Sequence, residues 1–214
     1  MPPTPLIRTM TENDSTASII HEASQIIRQG GVLACATDTG YLLGVNGLNV
    51  AAIRKVYQIK GRSFDKPIHL VVPDLNMAQE LGEIHQQAEA VFHHFLPGPL
   101  TVIVKKKEVV PELLVSGLEG VGLRIPENKV LLDLVTAAGV PITATSANRS
   151  GLATPFRVTE VLTELGDAVQ DVDLILDQGH TQHGMPSTIL DMTHIPARIV
   201  REGPVTAAML KAYL

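Results

Sequence analysis

The sequence has few cysteine and aromatic side chains. Its 214 residues include a single cysteine, Cys35, no tryptophan and 3% aromatic residues. One cysteine excludes an internal disulfide and a cysteine-rich zinc site, and its apolar neighbours predict a buried structural thiol. Apolar residues make up 45% of the chain. Because so few of them are aromatic, the core must be aliphatic, which suits strands covered by helices.

Two further features are missing from the chain. No apolar run approaches the roughly 20 residues that span a bilayer, and the N-terminus lacks a secretory pattern, which predicts a cytoplasmic protein without a membrane partner. Acidic residues outnumber basic ones by 22 to 17, which opposes broad non-specific binding to nucleic acid. An anionic ligand would therefore have to meet a local cluster of cations.

The pattern of apolar segments predicts a single domain. Residues 1–13 are rich in Pro and Thr and are expected to form an N-terminal tail over the surface. Residues 14–214 are expected to form one domain, whose first helix is capped by Asp14 or Ser15. Helices alternate with apolar strands, and a strand pair follows near the end. This order predicts an α/β fold with a twisted, mixed β-sheet flanked by helices.

Three polar stretches follow apolar segments of the chain. They are residues 37–39 (Thr-Asp-Thr), residues 57–67 with three cations, and residues 146–151 (Ser-Ala-Asn-Arg-Ser-Gly). Ligands of open α/β sheets bind beyond the carboxyl ends of the strands, so we expect these stretches to face one cleft. Each also has a plainer explanation, because strand ends and turns commonly carry such residues.

The cations of the second stretch are candidate phosphate ligands. Lys60 and Arg62 lie two residues apart in an irregular segment, where both can reach one anion, and Lys66 follows. The alternative is a solvated charged loop. As exposed loop cations, Lys60 and Arg62 are expected to matter far more for turnover than for stability. Arg124 and Arg201 end apolar strands, so each needs an internal acid or an anionic ligand.

Several well-known sites are excluded by their spacing requirements. The chain has no G-x-x-x-x-G-K-[ST] phosphate loop and no His-Glu-x-x-His motif. His180 and His183 lie in a Gly-rich loop without further ligands, so no metal-ligating residue is predicted. The run Lys105-Lys106-Lys107 is most simply a solvated strand end.

Six segments in order nevertheless resemble those of one known family, the YrdC-like threonylcarbamoyl-adenylate synthases. The resemblance extends from about residue 15 to about residue 205 and implies the YrdC-like fold. The segments are Thr37-Asp38-Thr39, Lys60-Gly61-Arg62 with Lys66-Pro67, Pro97-Gly98-Pro99-Leu100-Thr101, Gly122-Leu123-Arg124-Ile125-Pro126, Thr145-Ser146-Ala147-Asn148-Arg149-Ser150-Gly151, and Ser187-Thr188-Ile189-Leu190-Asp191.

The resemblance implies a reaction and a set of ligands. L-Threonine, bicarbonate and ATP, with Mg²⁺, would give threonylcarbamoyl-adenylate and pyrophosphate for the t6A modification of tRNA. It implies tRNA as a partner, directly or through downstream modification enzymes, and a monomer or homodimer. Lys60 and Arg62 would be catalytic. The implied nucleotide and phosphate ligands are Lys60, Arg62, Lys66, Ala144, Ser146, Asn148 and Arg201, and the implied threonine ligands are Thr37, Thr39, Arg124 and Ser187.

The chain departs from the family pattern at one wall of the implied threonine pocket. It has Ala36, Gly40 and Leu42 where the family usually has Pro, Val and Gly, and Val71 where some members have His. Two alternatives therefore stay open at this point. One is a module of the same fold that binds double-stranded RNA or tRNA, and the other is a paralogue that acts on another small substrate.

Overall fold

The computed structural model describes residues 5–10 and 16–213. The described helices are α1 (Thr16–Arg28), α2 (Val50–Lys60), α3 (Leu75–Leu81), α4 (Gln86–Phe95), α5 (Glu112–Val115), α6 (Lys129–Ala138), α7 (Val158–Leu165) and α8 (Ala207–Leu210). The described strands are β1 (Leu6–Thr9), β2 (Leu33–Ala36), β3 (Tyr41–Gly44), β4 (His69–Val71), β5 (Gly82–Glu83), β6 (Leu100–Lys106), β7 (Gly120–Arg124), β8 (Ile142–Ser146), β9 (Leu174–Asp177), β10 (Thr188–Asp191) and β11 (Arg198–Arg201).

The described strands form one mixed sheet, and the predicted α/β fold is confirmed. Its order is β1-β9-β2-β3-β8-β4-β7-β6-β10-β11, and β5 pairs with β6 outside this path. Four neighbouring pairs are parallel (β1–β9, β9–β2, β4–β7 and β6–β10) and the others are antiparallel. Strands that are distant in sequence therefore lie side by side at the centre.

Helices cover the two faces of the sheet unequally. The larger core lies on one face, under residues of α2, α3, α4, α5, α7 and α8. On the other face, α1 and α6 pack over the β9, β2, β3 and β8 side, where the thiol of Cys35 is buried as predicted. Toward β4, β7, β6 and β10, this second face carries polar residues that line cavities.

The strand register brings several of these residues into adjacent rows. Arg124 on β7 pairs with Val71 on β4. Two residues earlier on these strands, His69 of β4 pairs with Ala144 of β8, and Gly122 of β7 pairs with Ile103 of β6. Since side chains alternate between faces along a strand, the side chains of both rows lie on the same face.

Local sequence signals explain most helix boundaries. The side chains of Asn49 and Asp74 accept hydrogen bonds from the first turns of α2 and α3 and so act as their N-caps. Gly139 ends α6 in the left-handed conformation. The predicted caps of α1, Asp14 and Ser15, lie outside the described residues. No helix of the described chain combines the length and apolar character needed to cross a membrane.

The N-terminal segment differs from the sequence prediction. Residues 6–9 were expected in a surface tail, but they form β1, an edge strand parallel to β9. The pairing satisfies backbone groups without burying side chains, since all four residues are exposed. The short strand β3 was also not predicted, because its four residues are buried and show no alternation that would distinguish a strand from a loop packed in the core.

Candidate active site

A cavity of about 190 Å³ opens on the second face of the sheet. We call it the arginine cavity, because the side chains of Arg62, Arg124 and Arg201 all line it. Eight of the residues implicated by sequence line it: Thr37, Thr39, Arg62, Arg124, Ala144, Ser146, Ser187 and Arg201. Three others, Lys60, Lys66 and Asn148, lie outside this lining.

Arg124 is the buried cation on the sheet side of the cavity. Its Nε donates to the Gly98 carbonyl at 3.2 Å and one terminal nitrogen donates to Thr39 Oγ1 at 2.7 Å. The other terminal nitrogen forms an ion pair with Asp38, whose side chain is fully buried. Since a guanidinium has five N–H groups, one N–H remains on each terminal nitrogen. These two N–H groups remain available to a ligand.

Asp38 is the internal acid that Arg124 required, although it was not among the residues assigned a role. Its second carboxylate oxygen is buried and has no hydrogen-bond partner within the described chain. His183 lies beside it, with Nε2 3.9 Å from this oxygen and the backbone N–H donating to the Asp38 carbonyl at 2.9 Å. The Gly- and His-rich loop is therefore attached to the turn that carries the two threonines.

The turn of residues 37–40 is held by its own hydroxyl groups. Thr37 Oγ1 donates to the Gly40 carbonyl at 2.8 Å and accepts from the Thr39 N–H at 3.0 Å. Gly40 has φ +151°, and a Cβ there would lie 2.7 Å from the methyl of Thr154. The glycine that departs from the family pattern thus lets the segment around Thr154, itself part of the lining, close against this wall.

Arg201, the last residue of β11, also lines the cavity. Its Nε and one terminal nitrogen donate to the Ser187 carbonyl at 2.9 and 2.7 Å. The hydroxyl of Ser187 lies 3.1 Å from that of Thr101. The chain thus supplies its own acceptor for Arg201, and the remaining N–H groups stay available to a ligand.

Arg62 lies in the loop after α2. It donates to the carbonyls of Lys66 and Pro67 at 3.2 and 3.0 Å, while the hydroxyl of Tyr57 donates to the Lys66 carbonyl at 2.9 Å. Burial lowers the pKa of Arg62, but a guanidinium stays charged at neutral pH. These bonds direct one cation of the loop toward the cavity.

Lys60 is not the exposed loop cation that the sequence predicts. It is the last residue of α2 and only 2% exposed, so the assumption behind its expected small effect on folding is wrong. Its Nζ donates to the Ser146 carbonyl, to the Asn148 carbonyl at 2.8 Å and to Asn148 Oδ1 at 3.1 Å. Burial lowers the pKa of Lys60 to about 7, and three acceptor oxygens hold its ammonium form.

The Ser146 turn is built around this buried amine. Ser146 Oγ donates to Asn148 Oδ1 at 2.5 Å, and Asn148 Nδ2 donates to the Leu152 carbonyl at 2.6 Å. The Ser150 N–H returns to the Lys60 carbonyl at 2.7 Å. Lys60 and Asn148 therefore shape the turn, and Ser146 is the member that reaches the lining.

His69 is a lining residue that sequence reasoning did not select. Burial, and then the charges of Arg201, Arg62 and Arg124, lower its pKa to about 4, so the imidazole is neutral at neutral pH. The available signal was a histidine in an apolar strand, two residues before Val71 and therefore on the same face.

The lysine run and the histidines of the Gly-rich loop are not among the residues that line the arginine cavity. Within residues 5–10 and 16–213, no group of three or more His, Cys, Asp or Glu residues could hold a metal ion. Lys105 and Lys106 of the lysine run pair with Glu83 and Glu112 at 3.4 and 2.7 Å.

Comparison with known proteins decides the family. Residues 25–203 match the model of the Sua5, YciO and YrdC proteins, which bears the description "Telomere recombination". The chain belongs to this family. This confirms the family that the six sequence segments indicated.

Named relatives match most of the chain. A putative threonylcarbamoyl-AMP synthase of Methanocaldococcus jannaschii is 37% identical, and the match covers 84% of this chain and 83% of the relative. The threonylcarbamoyl-AMP synthase of Pyrococcus abyssi is 35% identical, with 86% of this chain and 54% of the relative covered. The chain thus spans about half the length of some family members.

Solved structures of the family agree with this fold. The crystal structure of P. abyssi Sua5 complexed with L-threonine superposes with a TM-score of 0.92 at 31% identity, covering 98% of this chain and 61% of the other. Escherichia coli YciO gives a TM-score of 0.85 at 27% identity, covering 98% and 100%.

Proposed function

We propose that this protein is a threonylcarbamoyl-AMP synthase, which converts L-threonine, bicarbonate and ATP into threonylcarbamoyl-adenylate and pyrophosphate. The observation that carries the proposal is the convergence of three guanidinium groups and a set of hydroxyl groups in one cavity. The names of the relatives and the threonine complex of P. abyssi Sua5 support the same reaction.

The donors of the cavity suit an amino acid on one side. We assign the two remaining N–H groups of Arg124 to the threonine carboxylate, because a guanidinium and a carboxylate match as a bidentate pair. The hydroxyls of Thr39 and Ser187, both buried, would hold the polar atoms of the same substrate. The guanidinium is already oriented by Asp38, so little order is lost when the ligand binds.

The opposite side suits the triphosphate. Arg62 and Ser146 line this part of the cavity, with Lys60 and Asn148 directly behind the Ser146 turn. When the carbamate oxygen attacks the α-phosphate, negative charge develops on the departing pyrophosphate, and preorganised cations stabilise that charge. This chemistry requires no covalent nucleophile.

The cavity offers hydroxyl oxygens to a hard cation but no carboxylate among its described lining residues. Mg²⁺ prefers oxygen ligands and commonly binds through substrate phosphates with few protein groups. We therefore propose that Mg²⁺ enters as the complex with ATP. The tRNA partner remains a prediction from the family resemblance, and the cytoplasmic location remains a prediction from the composition of the sequence.

The test is pyrophosphate release by the purified chain. Release should require ATP, bicarbonate and threonine together, and release without threonine would overturn the proposal. Measurement of amino-acid-dependent thermal stabilisation in the presence of ATP would identify a different amino-acid substrate.

Arg124→Lys tests the assigned threonine contact. Lysine cannot keep the contacts to Gly98, Thr39 and Asp38 while presenting two parallel donors, so the KM for threonine should rise by about tenfold or more. The KM for ATP should change little. Arg157→Lys is the matched control, because Arg157 is exposed and pairs with Glu160 on α7. Equal changes in both KM values would contradict the assignment.

A further inference from the structure

His69 lies where the arginine cavity meets a second cavity. The second one, which we call the outer cavity, has a volume of about 260 Å³. Pro67 and His69 line both cavities. The charged and titratable residues of the outer cavity are Lys105 of β6, Glu119 before β7, Asp191 of β10 and His194 after it.

The imidazole ring is held by the shape of the sheet. It lies over Gly122, where a Cβ would approach the ring atoms Cδ2, Cγ and Nε2 to 2.5, 2.8 and 3.2 Å. Any larger residue at position 122 would have to displace the ring. Within the described chain, the ring nitrogens have no hydrogen-bond partner, so the fold fixes the ring and leaves its polar atoms available.

The chemical character of this ring differs from that of its neighbours. The polar side chains that line the arginine cavity carry guanidinium groups, hydroxyl groups and this imidazole. The guanidinium groups can only donate hydrogen bonds. Arg201, Arg62 and Arg124 act on it from three different segments and disfavour its cationic form. At neutral pH, the imidazole is therefore the one nitrogen lone pair among the described lining residues.

The proposed reaction needs such an acceptor. Threonine enters as an ammonium ion, and its nitrogen forms a bond to the carbon of bicarbonate. Of its three ammonium protons, one stays on nitrogen, one leaves with the bicarbonate hydroxyl as water, and one must be accepted by a base. The products are the carbamate, water and a proton, which balances the charge of the two reactants.

We propose that His69 accepts this proton as the amine becomes a carbamate and releases it to solvent through the outer cavity. This inference depends on the proposed function. Burial and the surrounding arginines disfavour the imidazolium, so His69 passes the proton on and does not retain it. A base on the wall of both cavities connects the reacting amine with bulk water.

The decisive experiment compares His69→Gln with the native chain across pH 7 to 9. Glutamine keeps polarity and approximate size but cannot take up a proton. At pH 7, kcat should fall by about 100-fold, a typical contribution of general base catalysis. The variant's rate should then rise by up to about tenfold per pH unit as the threonine ammonium loses its proton in solution. The native rate should change much less. Thermal stabilisation by ATP should be the same in both proteins.

His194→Gln is the matched control, because His194 lines only the outer cavity. A second control, His93→Gln, changes an exposed histidine of α4 that lines neither cavity, and its rate and pH profile should equal those of the native chain. A His69→Gln rate within about twofold of native at pH 7 would overturn the relay, since a twofold reduction is far smaller than the usual effect of losing a base. A loss of equal size at every pH would also overturn it and would indicate a structural role.

A second variant keeps the test decisive if His69→Gln is unstable. His69→Ala leaves space beside the outer cavity. Added imidazole should therefore raise the rate of this variant by at least about tenfold. Absence of rescue in a folded His69→Ala protein would overturn the proposal. If the native chain itself releases no threonine-dependent pyrophosphate, the proposed function fails, whereas an unchanged variant removes only the role of His69.

Discussion

Replacement of Lys60 by alanine should destabilise the fold, because this side chain is a buried connection between α2 and the Ser146 turn. The change removes donors from the Ser146 carbonyl, the Asn148 carbonyl and Asn148 Oδ1. Only the Asn148 carbonyl then lacks a donor, since the Ser146 carbonyl and Asn148 Oδ1 still accept from the Asn148 N–H and Ser146 Oγ, and such a buried acceptor costs about 1–3 kcal/mol. Loss of the three buried methylenes of the side chain adds about 2 kcal/mol. The loss is partly offset, because the native chain no longer has to bury an ammonium group.

The expected net loss is about 3 kcal/mol of unfolding free energy. For a chain of this length, 1 kcal/mol corresponds to about 2–4 °C in Tm. Lys60→Ala should therefore melt about 6–12 °C below the native chain, as measured by circular dichroism.

Lys66→Ala is the matched control for this measurement. Lys66 belongs to the same loop but its side chain is exposed, so its Tm should change by less than about 2 °C. A Tm for Lys60→Ala within about 2 °C of native would refute the interpretation. Lys60 would then act mainly on the ligand, as the sequence first indicated.

Two other predictions concern the walls of the cavity. Arg62→Ala should lower kcat for pyrophosphate release by about 100-fold or more, yet change Tm by only a few degrees because the side chain is partly exposed; unchanged kinetics would remove it from the phosphate site. Gly40→Val should lower Tm and raise the KM for threonine, because a Cβ would lie 2.7 Å from the Thr154 methyl and φ +151° is strained for valine. Partial recovery of both values in Gly40→Val/Thr154→Ser would support the steric part of the explanation, because the backbone strain remains, and a Gly40→Val protein with native values would contradict it.

The sequence was informative where a residue type conflicts with its surroundings. Hydroxyl groups at the end of an apolar strand, as in residues 37–39, indicate a surface that faces a ligand or a turn. Arg124 after an apolar strand requires a partner whatever the fold, since an unpaired buried guanidinium is too costly. Such signals are local, so they do not depend on strand order.

Strand pairing across long sequence separations was not accessible in this way. Asp38 and Arg124 are 86 residues apart, and nothing near Arg124 specifies which acid it meets. The pairing of β1 with β9 likewise depends on a partner near the other end of the chain. Register is decided by how all strands pack together, and a single strand does not contain that information.

The direction of a side chain could not be predicted from the sequence either. Lys60 and Arg62 are separated by one residue, yet the amine turns inward to three oxygens while the guanidinium lines the cavity. The difference arises because Lys60 still belongs to α2, and Gly61 then reverses the chain in the left-handed conformation.

The sequence by itself therefore determined the fold class, the family and most of the polar groups around the cavity, because each leaves a local pattern of apolar, hydroxyl and charged residues. Only the tertiary structure decided which groups remain available to a ligand. It committed three N–H groups of Arg124, buried Lys60 behind the Ser146 turn, and set His69 over Gly122 between two cavities. These outcomes depend on register and close packing between distant segments, which no local pattern encodes.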